Sequence, residues 1–423
     1  MLVFLAIVLA IAAAIHLYLW QRLVRDTTAP GWRRRAGGLA VLAGALLMPV
    51  APLLTGGPAW LEVAFAWPAY VWLAVMFYLL VVLLVLEVPV LVARLVVRFS
   101  RPPALRARPP RRRARRRAAA PTAPVPALVP AAAAAPEPAP DPGPDHDPGR
   151  RLLLRRTAAV AAGVAATGIT GYGMSRAYAP PRVARLAVPL ARLDPRADGL
   201  RVAVVADIHV GPLFGGAQTR RLVEIVNGLD ADLIAVVGDM VSSEVERVRE
   251  SVAPLARLRS RYGAYFVTGN HEYYTGHQAW IEAAADLGLR VLRNERVEIA
   301  HRGGVLDLAG VNDVTGEEYA DAPDYSAALA DRDPSRPVVL LAHQPVQVRE
   351  AARFGVDLQL SGHTHGGQLF PFDYLVRLDQ PAVSGLAEID GTQVYVTNGA
   401  GFWGPPMRVG ADPDVTLLEL RSG

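Results

Sequence analysis

Three long apolar runs in residues 1–90 place the strongest constraint on how this chain of 423 residues can fold. They cover residues 1–20, 38–54 and 69–86. A helix needs about 20 mostly apolar residues to cross the hydrocarbon core of a bilayer. Helices on the surface of a soluble domain are apolar on one face only, so we predict three transmembrane helices within residues 1–100.

The first of these runs has a second interpretation, a cleaved secretory signal peptide. Such a peptide begins with basic residues and ends at a cleavage site made of small residues. Residues 1–20 begin MLVFLA and end HLYLW, which meets neither requirement. We therefore expect this run to remain as a membrane span.

Arginine is unevenly distributed between the loops that connect the apolar runs. The chain has no lysine, and five arginines follow the first run, at positions 22, 25, 33, 34 and 35. The loop at residues 55–68 has none, whereas Arg94, Arg98 and the segment RRRARRR at 111–117 follow the third run. Because short basic loops stay in the cytoplasm, we expect a multi-pass protein of the cell membrane with its N-terminus outside.

Two unusual segments separate this region from the rest of the chain. Residues 101–149 are mainly Pro, Ala and Arg, and we predict a disordered linker whose arginine run contacts anionic lipid headgroups. Residues 150–178 combine arginine pairs with a stretch rich in Ala and Gly. This second segment is either a fourth span or a twin-arginine export signal, and both interpretations place residues 179–423 outside the cytoplasm.

The remainder of the chain is acidic. Residues 157–423 hold 24 Arg and 32 Asp or Glu, a net charge of −8. Nucleic-acid backbones are bound by clustered basic side chains, so we expect no nucleic-acid partner. The chain has no cysteine, so any metal site must use His, Asp, Glu or Asn as ligands.

Polar residues stand at the ends of five apolar runs of strand length after residue 199. The runs are RVAVVAD, DLIAVVGD, AYFVTGN, PVVLLAHQP and LQLSGHTH. Continuous apolar runs are typical of strands that are buried on both faces of an α/β fold. Ligands of such folds bind at the carboxyl ends of the strands, which is where the polar residues occur: Asp207, His209, Asp239, Asn270, His343, His363 and His365.

The chemistry of these seven side chains indicates a metal centre. They supply four imidazoles, two carboxylates and one amide oxygen, a set that suits Mn, Fe or Zn. Seven ligands exceed the needs of one ion, so we expect two divalent ions that share a bridging carboxylate. Asp207 and His209 are two residues apart in an extended segment, so their side chains project to the same side.

The order of the motifs resembles that of the calcineurin-like metallophosphoesterase superfamily. The blocks are D-x-H, GD, GNHE, a single His and GHTH, and they lie within residues 200–423. The segments GNHEYY, GHTHGGQ and TNGAGFWGPPMRVGADPDV also resemble the bacterial membrane-associated members of that superfamily. The resemblance implies an α/β fold, a two-sheet α/β/β/α sandwich, behind the membrane helices.

The resemblance also implies a role for each residue of the motifs. One ion would be held by Asp207, His209 and His365. The other ion would be held by Asn270, His343 and His363, and the carboxylate of Asp239 would bridge the two ions. Asn270 and His271 would contact the substrate phosphate, and His271 would assist the leaving group. Arg408 matches a recurrent Pro-x-Arg of the family and would also contact the phosphate, with a structural salt bridge as the alternative.

The reaction implied is hydrolysis of a phosphate ester, with phosphodiesters favoured, by a hydroxide that bridges the two ions. The membrane location favours a lipid-linked or cell-wall-linked substrate. Two other functions remain open. One is a non-catalytic module that binds phosphate-rich cell-wall polymer through metal, and the other is a cytoplasm-facing hydrolase of phosphomonoesters, nucleotides or lipid precursors.

Overall fold

The computed structural model describes residues 2–53, 59–100 and 148–423. The predicted linker therefore lies outside the described residues, apart from its last two positions. Four long helices precede the first strand, and a π-helical segment, Trp20–Arg25, follows the first of them. These helices are α1 Leu2–Leu19, α2 Trp32–Leu53, α3 Ala59–Ser100 and α4 Pro148–Ala177.

Three helical stretches among the described residues are long and apolar enough to cross a membrane: Ala6–Arg25, Val63–Pro89 and Arg151–Ala177. They coincide with the predicted spans at 1–20 and 69–86 and with the segment at 150–178. The predicted span at 38–54 falls within α2, which begins with the sequence WRRR and carries Pro49 and Pro52. That span stays a prediction.

The remainder of the structure contains twelve strands and seven further helices. The strands are β1 Arg182–Leu190, β2 Leu200–Val205, β3 Leu233–Val237, β4 Ala264–Val267, β5 Leu289–Val291, β6 Glu295–His301, β7 Gly304–Gly310, β8 Val338–Leu341, β9 Leu358–Ser361, β10 Gly385–Ile389, β11 Thr392–Val396 and β12 Asp414–Ser422. The helices are α5 Gly216–Asn227, α6 Val245–Val252, α7 Asn270–Tyr274, α8 His277–Asp286, α9 Tyr325–Leu329, α10 Val348–Arg353 and α11 Asp373–Val376.

The strands form two six-stranded mixed sheets. The first has the order β1-β12-β2-β3-β4-β5, and the second has the order β10-β11-β9-β8-β7-β6. The central strands of each sheet are parallel, with Val205 paired to Val236 in the first sheet and Leu341 paired to Leu360 in the second. Parallel strands have their carboxyl ends at one edge, so the polar residues that follow them collect there.

The two sheets pack face to face, and helices cover their outer faces. Val204 and Leu341 belong to one buried cluster that lies between the sheets. Leu222 of α5 and Trp280 of α8 pack on the outer face of the first sheet, and Ala351 of α10 packs on the second. This arrangement confirms the predicted α/β/β/α sandwich, because both faces of the parallel strands are buried.

Among the described residues, contacts between the membrane helices and the sandwich involve the first half of α3 and the C-terminal end of α4. Trp67 of α3 stacks on Tyr178 with the ring centroids 6.2 Å apart, and the Tyr78 hydroxyl donates to the Phe370 carbonyl at 3.0 Å. At the end of α4 the Arg176 guanidinium lies 2.9 Å from the Asp412 carboxylate. The sandwich is thus attached to the N-terminal half of α3 and the C-terminal end of α4.

Candidate metal centre

The seven residues predicted as metal ligands meet at the carboxyl edges of both sheets. Asp207 and His209 follow β2, Asp239 follows β3, and Asn270 begins α7 after β4. The second sheet supplies His343 after β8 and, after β9, His363 and His365. The site therefore lies where the two sheets adjoin, and neither sheet alone could assemble it.

The backbone at these positions turns sharply out of the strands. Five of the residues have positive φ angles between 50° and 70°: Asp207, His209, Asp239, His363 and His365. Residues other than glycine rarely adopt this conformation, and the strain is typical of functional sites. Gly362 does not have a positive φ angle. A glycine is required there for a different reason, because a Cβ atom would overlap the Asp207 carboxylate.

One group of ligand atoms consists of the carboxylate of Asp207 and the imidazoles of His209 and His365. The Nε2 atoms of the two histidines are 2.9 Å apart, and His365 Nε2 is 3.5 Å from Asp207 Oδ1. All three side chains are buried. Each of the three residues thus offers one ligand atom, and these three atoms lie within 4.8 Å of one another, close enough to hold a common cation.

A second group consists of Asp239, His343 and His363. His343 Nε2 lies 3.3 Å from Asp239 Oδ2, and His363 Nδ1 lies 2.9 Å from the Asn270 amide oxygen. The same oxygen, Asp239 Oδ2, is also 3.7 Å from His209 Nε2 of the first group. Asp239 is therefore placed between the two groups.

The histidine rings are oriented by hydrogen bonds on the side opposite the site. His343 Nδ1 donates to the Val237 carbonyl at 2.9 Å, and His209 Nδ1 lies 2.8 Å from the Ser242 hydroxyl. With Nδ1 engaged by this carbonyl, His343 directs Nε2 into the site, where it lies 3.3 Å from Asp239 Oδ2. An imidazole fixed in this way is the usual form of a metal ligand.

Burial favours the neutral form of three of these rings, because an imidazolium loses hydration there. It lowers the pKa of His209 and His365 well below its usual value and that of His363 to about 4. The fourth ring differs: burial opposes protonation of His343, but the Asp239 carboxylate outweighs it and raises the pKa of His343 well above its usual value. Burial also raises the pKa of Asp207 to about 7. Burial opposes ionisation of Asp239, but the positive charge of the neighbouring His343 imidazolium outweighs it and holds the pKa of that carboxyl well below its usual range. Neutral imidazoles and ionised carboxylates are the states that bind divalent cations.

His271 lies at the rim of the site. Its backbone N–H donates to Asp239 Oδ1 at 2.9 Å, and its half-buried ring is 4.5 Å from the ring of His209. It also forms a third group of potential ligands with His209 and Asp239. The predicted substrate-contacting histidine therefore lies close to residues of both metal groups.

Glu272, which completes the GNHE motif, stabilises the two loops that carry Asp239 and Asn270. Its buried carboxylate accepts hydrogen bonds from the backbone N–H groups of Gly269 at 2.7 Å and of Asp239 and Met240, both at 2.9 Å. These bonds tie the loop after β4 to the loop after β3. Glu272 thereby holds Asn270 and Asp239 at a fixed separation.

Arg408 has a different position from the one predicted. It is fully buried behind His365, where its guanidinium donates to the carbonyls of Gly401 at 2.9 Å and His365 at 2.8 Å. Its Nη2 atom lies 2.9 Å from His365 Nδ1. The expectation that Arg408 contacts the phosphate is therefore corrected, because its donors are directed at the protein and position the GHTH loop.

Sequence reasoning missed several contributors to the site. Ser242 and the Val237 carbonyl orient histidines, but a serine in a loop and a backbone carbonyl carry no signal in a single sequence. Leu73 and Phe77 of α3 lie beside the site, although they belong to a membrane helix. An all-apolar helix shows no periodicity that could mark one face as functional.

Comparison with known proteins agrees with the family that the motifs resemble. The family model for calcineurin-like phosphoesterases matches residues 200–367. A transmembrane protein with metallophosphoesterase domain from Bos taurus is 39% identical over 289 residues, which are 65% of this chain and 64% of that protein. An uncharacterized metallophosphoesterase from Helicobacter pylori is 38% identical over 276 residues, which are 64% of this chain and 73% of that protein.

A further metallophosphoesterase, from Aquifex aeolicus, is 34% identical over 231 residues, covering 54% of this chain and 87% of that protein. This chain belongs to the calcineurin-like metallophosphoesterases, as its motifs predict. It is also a relative of transmembrane members of the family. It spans slightly less than two thirds of the length of the vertebrate relatives, 64% of the Bos taurus protein and 60% of that from Danio rerio.

Proposed function

We propose that this protein is a membrane-anchored phosphodiesterase with a dinuclear metal centre. Membership of the family supports metal-dependent hydrolysis of a phosphate ester. The observation that carries the dinuclear proposal is the position of Asp239, whose Oδ2 atom faces His209 of one ligand group and His343 of the other. Two carboxylates and four imidazoles are also ligands that suit two divalent cations.

The residues that would hold the ions are those predicted from the sequence. Asp207, His209 and His365 form one set, Asn270, His343 and His363 form the other, and Asp239 belongs to both. The chemistry that two divalent cations supply in such a site is polarisation of water and of the phosphoryl oxygens. Mn, Fe and Zn all accept these nitrogen and oxygen ligands.

His271 would act on the leaving group. Its ring is at the rim and half-buried, so it can reach a bound substrate while its backbone is fixed by Asp239. Departing alkoxides are poor leaving groups and need a proton, which an imidazolium at this position can donate. The presence of His271 therefore suits esters of unactivated alcohols, which include phosphodiesters.

The hydrolase proposal is tested on the full-length protein after removal of metal and resupply with Mn, Fe or Zn. We expect turnover of p-nitrophenyl ethyl phosphate that depends on the added metal and exceeds turnover of the monoester p-nitrophenyl phosphate. Greater activity on the monoester would reject the diester preference. A folded, metal-loaded protein that hydrolyses neither compound would reject the esterase and favour a binding module.

We also propose that the sandwich lies outside the cytoplasm. At the end of the helices remote from the sandwich, Arg22 forms an ion pair with Glu87 at 2.6 Å, and Arg156 donates to the Thr27 carbonyl at 2.9 Å. The arginine-rich segments thus collect at that end, which the positive-inside rule places in the cytoplasm. The sandwich is attached at the opposite end of α3 and α4.

A pair of reporter fusions after Gly423 tests this orientation. We expect alkaline phosphatase, which is active only outside the cytoplasm, to be active when fused there, and green fluorescent protein exported in unfolded form to be dark. The reverse pattern would place the sandwich in the cytoplasm and support the cytoplasm-facing alternative. A fusion in the arginine-rich loop after Arg25 should give the opposite result in each case.

A further inference from the structure

A cavity of about 680 Å³ extends from the metal centre to the membrane helices. At its inner end it is lined by residues of the metal centre, including Asp239, Asn270 and His271. Its outer part is lined mainly by apolar side chains, among them Leu73, Phe77, Phe372, Leu375, Val376 and Trp403. Cavities of this size, lined mainly by apolar side chains with a few polar groups, are typical binding sites of small organic ligands.

One wall of the cavity belongs to a helix that can cross the membrane. Leu73 and Phe77 are four residues apart, so they lie on the same face of α3, and both fall within the apolar stretch Val63–Pro89. The Tyr78 hydroxyl holds the Phe370 carbonyl at 3.0 Å and so fixes the segment that forms the opposite wall. The cavity is therefore bounded on one side by a membrane span.

The segment at residues 370–378, which contains α11, exposes large apolar side chains beside this span. Phe370 is 53% exposed, Tyr374 is 62% exposed, and Leu378 is 83% exposed. Trp403 on the other side of the cavity is 46% exposed. Exposed apolar surface with Trp and Tyr is typical of a region that enters the membrane interface.

The charged side chains that line the cavity indicate how many phosphate groups a substrate can carry. Among the described residues that line the cavity, the charged side chain outside the metal centre is that of Asp379. A carboxylate repels additional phosphate groups, whereas polyanionic substrates are bound by arginine or lysine. The lining therefore favours a substrate with a single phosphate ester and an apolar remainder.

We propose that the substrate is a membrane lipid whose phosphate ester lies at the metal centre and whose hydrocarbon chain occupies the cavity between α3 and α11. This inference rests on the proposed phosphoesterase function. A lipid would reach the site laterally, because a wall of the cavity is formed by a membrane span. Hydrophobic contact with the cavity would supply much of the binding energy, since each buried methylene contributes about 0.8 kcal/mol.

The test compares p-nitrophenyl ethyl phosphate with p-nitrophenyl octyl phosphate, which share a leaving group and differ only in the retained chain. The full-length, metal-supplied protein is assayed in nanodiscs at substrate concentrations below micelle formation. A buried methylene corresponds to about a fourfold gain in affinity, so we expect kcat/KM to be at least about tenfold higher for the octyl ester. Equal values for the two esters would overturn the inference while leaving the esterase intact.

Two leucines of the same exposed segment provide a matched pair of variants. Leu375 lines the cavity, whereas Leu378 is outside the lining and is more exposed. We expect Leu375→Gln to reduce the octyl-to-ethyl ratio of kcat/KM by several-fold and Leu378→Gln to leave that ratio unchanged. If both variants reduce the ratio equally, the preference reflects contact with the bilayer and not occupancy of the cavity, and the inference fails.

Binding measurements keep the inference testable if neither ester is hydrolysed. Ethylphosphonate and octylphosphonate resemble the alkyl phosphate products of these diesters and cannot be hydrolysed, and their affinities are measured by calorimetry on the same protein. At least about tenfold tighter binding of octylphosphonate would support the lipid site even if the esterase proposal fails. Equal affinities, or stronger binding of a soluble glycerol-phosphate oligomer, would assign the site to a different substrate class.

Discussion

Replacement of Asp239 by Asn is expected to reduce phosphodiester hydrolysis by on the order of 10³-fold or more. The amide is nearly isosteric with the carboxylate, and its oxygen can still accept the hydrogen bond from the His271 backbone N–H. Its NH₂ group, however, would take the place of Oδ2 and direct hydrogens at His209 and His343. The variant thus loses the charge and the lone pairs shared by the two ligand groups while it keeps the fold.

The expected loss is measured as kcat together with the metal content by mass spectrometry. Asp390→Asn is a suitable control, because Asp390 is an exposed residue of the turn between β10 and β11. We expect the control to match the wild type and Asp239→Asn to bind one ion per chain or fewer. Near-normal activity of Asp239→Asn would exclude Asp239 as the shared ligand.

Replacement of His271 by Ala is expected to lower kcat by about 10²–10⁴-fold without changing the number of bound ions. The loss should be larger for dialkyl phosphates than for p-nitrophenyl esters, because p-nitrophenolate departs without a proton. This dependence on the leaving group distinguishes proton donation from a general effect on the site. His277→Ala provides the control, since His277 lies six residues away and outside the metal groups.

The metal content of His271→Ala also shows whether His271 is itself a metal ligand. His271 lies within reach of a cation together with His209 and Asp239. If the variant loses an ion, His271 is itself a ligand, and its role in protonating the leaving group is wrong. Retention of both ions with a slow, leaving-group-dependent reaction would support the role proposed above.

The meeting of the seven candidate ligands could be predicted from sequence because of how parallel sheets are built. Each predicted ligand follows a short apolar strand, and the carboxyl ends of parallel strands adjoin. The positive φ angles of five residues could not be foreseen, because Asp and His adopt that conformation more often than most residues but still only in a small minority of cases. The tertiary structure imposes it, and it turns the side chains out of the strands toward a common point.

The role of Arg408 shows the limit of motif-based reasoning. A motif indicates that an arginine is present, but an arginine has the same five donors whether it meets a phosphate or backbone carbonyls. The structure places it behind the GHTH loop, where it binds the carbonyl of His365. Whether Arg408 contacts a substrate phosphate or the backbone depends on where the tertiary structure places it relative to the GHTH loop, which the motif does not specify.

The contribution of the membrane helices to the site was likewise not predictable. The sequence indicates a membrane span at residues 69–86, but Leu73 and Phe77 differ in no way from their apolar neighbours. Their position beside the metal centre depends on contacts far apart in sequence, such as that between Tyr78 and Phe370. A span that looks like a simple anchor in the sequence thus forms part of the wall of the proposed substrate cavity.

Anomalous X-ray diffraction from metal-supplied crystals of the protein shows whether two ions share Asp239. We predict two anomalous peaks roughly 3.5–4 Å apart, one near His209 and His365 and the other near His343 and His363, with the Asp239 carboxylate between them. A single peak in fully loaded protein, or peaks remote from Asp239, would exclude a dinuclear centre shared through this residue.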